Sequence, residues 1–143
     1  VTSRILLDTH IALWLDSGDE RLRPSTRTLI EDHWQGGGAI AISAITAWEI
    51  ALLVDTGRIT LDVAPEIWLG RFLSRPGLEA VPLTIAMAMQ AYRLSGLNHR
   101  DPADRLLIAS AVALACPMVT YDTRILEFGE QFGATLGFVA RKE

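Results

Sequence analysis

The sequence predicts a three-layer α/β fold, a parallel sheet with helices on both faces. Short apolar runs alternate with longer helical segments along the 143 residues. Capping residues, prolines and glycines punctuate that alternation where helices should start and stop. Strands separated by helices imply parallel neighbours joined by crossovers, buried on both sides. With no repeat, low-complexity tract or long linker, residues 1–143 read as one domain, long enough for a good core.

The elements follow in order. Ile5 to Leu7 is a short apolar run that reads as a buried strand, and a helix is expected from Thr9 to Leu15. A second helix runs from Pro24 to Trp34, with proline acceptable in its first turn. Gly36, Gly37 and Gly38 break it before a strand at Ala39 to Ile42. Ser43 caps the next helix, which ends near Gly57, a suitable residue just past a helix end. Pro65 to Leu73 is a further helix and Glu79 to Val81 a third strand. Thr84 to Leu94 is an alanine- and methionine-rich helix that stops at Gly96. Pro102 to Ala115 is the most apolar helix, followed by a strand at Met118 to Tyr121. A short helical turn at Thr123 to Phe128 and a strand around Leu136 to Val139 close the pattern.

Composition excludes several classes of chemistry. Half the residues are hydrophobic and 21% are charged, a globular balance. The apolar run Leu106 to Cys116 falls short of the ~20 residues that span a bilayer. Only Arg4 precedes the first strand and no long apolar segment follows, so no signal peptide is expected. Cys116 is the one cysteine, which rules out an internal disulfide and a thiolate metal site. These features point to the cytoplasm. Lys142 is the one lysine, so a phosphate-binding loop and Schiff-base chemistry are both excluded. The net charge is −4, from 17 acidic and 13 basic residues. Setting aside Asp8, Glu49, Asp101, Asp104 and Asp122 leaves 12 acids against 13 bases, a surface that does not repel phosphate yet carries no basic stripe.

Those acids carry the functional signal. In an open α/β sheet, ligands bind at the carboxyl ends of strands where the strand order reverses. Asp8 ends one predicted strand and Asp122 follows another, although each also suits a turn or a helix cap. Glu49 shares a stripe with Ile45, Trp48, Leu52 and Leu53 on a helix apolar almost all round, so that helix is expected to be buried. An ionised carboxylate there costs several kcal/mol unless an arginine pairs with it or it ligates a cation. Asp101 is placed to cap the helix that Pro102 opens, and Asp104 lies in its first turn, where the helix dipole alone would favour an acid. Gathered at one crevice, such acids repel one another unless a divalent ion neutralises them. Oxygen-only ligands select magnesium, manganese or calcium, ions suited to phosphoryl chemistry.

The motifs Leu6-Leu7-Asp8-Thr9-His10, Ser43-Ala44-Ile45-Thr46-Ala47-Trp48-Glu49-Ile50, Asp101-Pro102-Ala103-Asp104-Arg105 and Val119-Thr120-Tyr121-Asp122, in this order and spacing, resemble a PIN domain. The resemblance is strongest to the toxin components of VapBC toxin–antitoxin modules and runs from Leu6 to about Phe138. It implies a five-stranded parallel sheet in the order 3-2-1-4-5 and a magnesium- or manganese-dependent endoribonuclease. Such an enzyme would cut tRNA or ribosomal RNA to leave a 5′-phosphate and a 3′-hydroxyl. The resemblance also implies a VapB-like antitoxin partner and a homodimer. Asp8, Glu49, Asp104 and Asp122 match the family's acidic positions and Asp101 an extra acid of some members. Thr120 matches a hydroxyl residue near the metal, and Thr9 a small polar residue after the first aspartate. His10 stands where Asn is commoner, and is read as a helix-start cap. Asp55 stands where a lysine is often found. Arg100, Arg105 and Arg124 flank the acids and are candidates for RNA phosphates or for pairing with the acids themselves. His33 is read as surface and the remaining tryptophans as core.

A phosphatase of the haloacid dehalogenase type would need Asp-x-Asp and a later lysine, and a receiver domain the same kind of lysine, whereas Asp8 is followed by Thr9-His10 and Lys142 stands at the tail. The rival from another class is a PIN-like binding module that no longer cuts RNA. Retention of all four acids weighs against it.

Overall fold

The computed structural model describes residues 3–97, 101–136 and 139–141. Its strands are β1 (Arg4–Leu7), β2 (Ala39–Ser43), β3 (Leu78–Val81), β4 (Pro117–Val119) and β5 (Val139–Arg141). The helices are α1 (Thr9–Ser17), α2 (Pro24–Gln35), α3 (Ala44–Asp55), α4 (Pro65–Leu73), α5 (Ile85–Arg93), α6 (Pro102–Leu114) and α7 (Thr123–Leu136). The strands form one sheet in the order β3-β2-β1-β4-β5, and each adjacent pair is parallel. Strand order therefore reverses between β1 and β4, as the resemblance implies.

Alternation along the strands divides the core in two, because successive side chains leave opposite faces. Leu6, Ala41 and Met118 point to the face packed by α3, α5, α6 and α7, among Ile45, Leu107, Ile108, Ile125 and Phe128. Ile5, Leu7, Ile40, Ile42 and Val119 point to the other face, covered by α1, α2 and α4 through Ile11, Ile30 and Phe72. Three layers result, with both sheet faces dry.

Three expectations need correction. The segment read as a short turn at Thr123 to Phe128 is a helix that continues to Leu136. Gly129 and Gly133 look like breakers, each costing about 1 kcal/mol relative to Ala. Ile125 and Phe128 are buried, however, and the Phe128 and Phe132 rings meet at 5.2 Å, so tertiary packing overrides propensity. The strand placed around Leu136 to Val139 accordingly begins at Val139 and runs to Arg141, residues 137 and 138 lying outside the described set. Third, α3 is not enclosed. Trp48 is 58% and Leu52 44% exposed, and Trp34 on α2 is also exposed, so the tryptophans are not uniformly core. An all-round apolar pattern presumes a covering layer on every side, and α3 has none over Trp48 and Leu52 among the described residues.

Gly96 does more than stop α5. It adopts φ +84°, and a Cβ there would collide with the Phe132 ring. Both the backbone conformation and the close approach require glycine.

Candidate metal centre

The carboxyl ends of β1 and β4 meet the N-termini of α1, α3, α6 and α7, and the predicted acids collect there. Asp8 leaves β1 in extended conformation and caps α1, its Oδ1 accepting the Thr9 N–H at 2.7 Å. Its Oδ2 accepts the Thr120 hydroxyl at 2.7 Å. The Thr120 hydroxyl oxygen in turn accepts the Asp122 N–H at 3.0 Å, so one buried threonine links both strand-end aspartates. Asp122 caps α7, its Oδ1 accepting the N–H groups of Arg124 at 2.9 Å and Ile125 at 3.2 Å.

Glu49 projects from α3 and is half-buried, with Oε1 accepting the Thr9 hydroxyl at 2.6 Å. Thr46, one turn earlier on α3, lies 3.2 Å from the same hydroxyl and is fully buried. Because Thr9 gives its proton to Glu49, Thr46 is the donor to Thr9. Sequence reasoning missed Thr46. Its only signal is a hydroxyl three residues before Glu49, on the same helix face. Ser43 caps α3 as expected, accepting the Ile45 N–H, but its buried partner Ser110 on α6, 3.2 Å away, was also missed.

Asp104 sits in the first turn of α6, 7% exposed. Asp101 caps α6 as expected, accepting the Ala103 N–H at 2.9 Å, and is exposed. Electrostatics tie these groups together. Burial raises the Glu49 carboxyl from 4.5 to about 7, opposed by the Thr9 hydrogen bond and reinforced by the charges of Asp8, Asp104 and Asp101. Burial also raises Asp8, against hydrogen bonds from Thr120 and Thr9, with Asp122 adding a smaller push upward. The acids thus form a mutually repelling series from Asp122 through Asp8 and Glu49 to Asp104. As placed, no three His, Cys, Asp or Glu side chains among the described residues close on a common ion position. Carboxylate oxygens instead face hydroxyls and helix N–H groups. The donor set is nonetheless all oxygen, burial chiefly and neighbouring negative charge secondarily raise two of its acids, and no arginine bonds Glu49 among the described residues. Those properties fit a hard divalent cation.

The three arginines separate. Arg105 does not face the acids. Its guanidinium donates to the carbonyls of Ala91 at 3.0 Å, Leu94 at 3.2 Å and Leu97 at 2.8 Å, closing the C-terminal end of α5. Adjacency to Asp104 in sequence misled, because successive helix residues point about 100° apart. Arg124 is exposed at the start of α7, and Arg100 lies outside the described residues. His10 does not cap α1, since Asp8 does. Its exposed ring rests 5.6 Å from that of Trp14.

Arg105 yields a prediction. Arg105→Ala removes charge-assisted bonds to the carbonyls of Ala91, Leu94 and Leu97 at and just past the end of α5, where a cation is favoured. It should cost about 2–3 kcal/mol, read as a lower urea midpoint with an unchanged slope. An unchanged midpoint together with weakened RNA binding would show that Arg105 turns toward substrate instead.

Comparison with known proteins agrees with this fold. A model of the PIN domain matches residues 5–131. Ribonuclease VapC22 of Mycobacterium tuberculosis is 31% identical over 121 residues, covering 85% of this chain and 88% of that protein. Among solved structures, VapBC2 from Rickettsia felis, bound to a DNA fragment from its promoter, superposes with a TM-score of 0.63. Its identity is 18%, over 96% of this chain and 97% of that one. A toxin–antitoxin complex from Klebsiella pneumoniae gives 0.59 at 20% identity, over 94% and 95% of the two chains. At those identities the structural likeness speaks for the fold.

Proposed function

This chain belongs to the PIN-domain family, and from that premise we propose that it is a metal-dependent endoribonuclease, the toxin of a VapBC-type toxin–antitoxin module. The observation that carries the proposal is the series Asp122, Asp8, Glu49 and Asp104 at the strand-order reversal, with burial and mutual repulsion raising Asp8 and Glu49. Residues 1–143 form one PIN domain on this reading. Asp8, Glu49, Asp104 and Asp122 would hold Mg²⁺ or Mn²⁺, and Asp101 is chiefly the cap of α6. The ion, when bound, polarises the scissile phosphate and makes a water more acidic.

The protein's own contribution is orientation. The Thr9 N–H and the Thr120 hydroxyl fix both oxygens of Asp8. Thr46 and Thr9, donating in sequence, hold Oε1 of Glu49 and leave Oε2 to take the proton of an attacking water. The N-terminus of α7 fixes Oδ1 of Asp122 and leaves its other oxygen for the site. Cleavage would leave a 5′-phosphate and a 3′-hydroxyl on tRNA or ribosomal RNA. The partner is a VapB-like antitoxin, the protein a homodimer and its place the cytoplasm. No helix among the described residues is long and apolar enough to cross a membrane.

The test uses purified protein with total tRNA and, separately, ribosomal RNA. Manganese or magnesium should support cleavage, EDTA should abolish it, and added manganese should restore it. Cleavage that persists after exhaustive chelation, or no cleavage with either ion, overturns the proposal and favours an inactive binding module.

A further inference from the structure

A cleft of about 490 Å³ lies between α1, the end of α3 and the start of α4. His10 and Trp14 form one wall, Arg21 and Arg58 stand at its rim, and Leu53 and Trp68 line it further. An aromatic line crosses this side of the site. The rings of His10 and Trp14 are 5.6 Å apart, and those of Trp14 and Tyr121 are 6.0 Å apart. The His10 end of the line lies near Asp8, on whose carboxyl the His10 charge acts, whereas the Tyr121 hydroxyl turns to Thr26 on α2 at 2.6 Å. Planar cations already lie over these rings. The Arg21 guanidinium is 5.2 Å from the Trp14 centroid and that of Arg23 is 5.0 Å from Tyr121.

We propose that this cleft takes one unpaired nucleobase of the RNA, stacked against Trp14 and His10, and so sets the neighbouring phosphodiester over the acids. The inference rests on the ribonuclease reading above and adds the means of holding substrate. Its logic is one of charge. The cleft's charged residues, Asp16, Asp19, Arg21 and Arg58, cancel, and Arg21 is paired with Asp19 at 2.7 Å. The whole chain carries −4 and has no basic stripe. Affinity for a polyanion must then come chiefly from stacking, which every base offers and which an aromatic wall supplies. The volume suits a single nucleotide, and the His10 end of the wall is the end near Asp8. Binding of a peptide in the same cleft is the competing occupant, and the test separates the two.

Fluorescent single-stranded oligoadenylate and oligouridylate are titrated onto the protein in EDTA, where cleavage is suppressed, by anisotropy. Oligoadenylate should bind more tightly than oligouridylate, because the purine stacks better. Trp14→Leu should weaken oligoadenylate roughly 10- to 100-fold, and His10→Ala about 5-fold. The dependence on salt should be shallow, corresponding to about one or two phosphates. In the manganese-loaded protein, KM should rise by a similar factor with kcat nearly constant. Trp14 is half-buried, so a melt accompanies each variant. If Trp14→Leu does not fold, the exposed residues decide through His10→Ala and Arg58→Ala. Unchanged oligonucleotide binding in folded variants overturns the base site, as does loss of antitoxin capture alone with RNA binding intact. Wild-type cleavage is scored separately, so failure of the nuclease reading stays distinct from failure of the cleft.

Discussion

Asp8→Asn is expected to lower RNA cleavage by roughly 10²- to 10³-fold or more, while the protein stays folded and melts no lower than the parent in EDTA. Asparagine retains an Oδ1 that accepts the Thr9 N–H, so the start of α1 keeps its cap. The cost falls on Thr120, whose hydroxyl loses the charged acceptor it has in Oδ2. Against that cost stands relief, since burial and the Asp122 charge both disfavour ionised Asp8. Removing that charge also lessens the burden on Glu49, which Asp8 pushes upward. The metal-free fold should therefore be insensitive to the change, whereas on the proposed reading cation binding would lose a ligand with both oxygens pre-oriented. Rates at saturating magnesium or manganese, paired with melts, measure the two effects independently. Wild-type rates in Asp8→Asn at saturating metal would remove Asp8, and with it the strand-end logic, from the mechanism. Asp122→Asn should behave alike, because it too keeps an Oδ1 for the N–H groups of α7.

Much of this was legible before any coordinates, for identifiable reasons. Asp8 and Asp122 were legible as strand-end acids, but each alone read equally well as a helix cap, which both also are. Asp101 as a cap and Pro102 as the first helical residue follow from local chemistry alone, and the observed hydrogen bond to Ala103 agrees. Strand order was legible only through resemblance, because no local pattern specifies which strands are neighbours. Long-range hydroxyl contacts were not legible at all. Thr46 reaches Thr9 across 37 positions, and Ser43 reaches Ser110 across 67. Nothing in a serine or threonine announces such a partner. Arg105 was misread because nearness in sequence to Asp104 was taken for nearness of side chains. The exposed face of α3 was misread because hydrophobicity reports what a surface tolerates, not whether another surface covers it.

The remaining large effect is on stability against pH, and Glu49 governs it. Its folded carboxyl titrates near 7, above the 4.5 it has when free. Between those values the folded protein binds more protons than the unfolded chain, so stability falls as pH rises from about 4.5 to about 7 and then levels off. Asp8, also raised, contributes in the same direction. At full strength the Glu49 shift corresponds to roughly 3 kcal/mol. Solvent reaches about a third of the group, so roughly 2 kcal/mol survives screening. For a chain of this size that is about 5–10 °C in Tm between pH 5 and pH 8. Glu49→Gln removes the titration and keeps an acceptor for the Thr9 hydroxyl. The variant should therefore exceed the parent at pH 8 in EDTA and match it at pH 5. Manganese should reverse the order at pH 8, because the ion binds the ionised cluster of the parent and stabilises only the folded state. At pH 5 protons compete for the same oxygens, and the gain from manganese should shrink. A parent that grows more stable from pH 5 to pH 8 without metal, or a Glu49→Gln variant with the same pH slope, would show that Glu49 carries no buried charge. Parallel gains from manganese in both proteins at pH 8 would show that Glu49 does not help hold the ion.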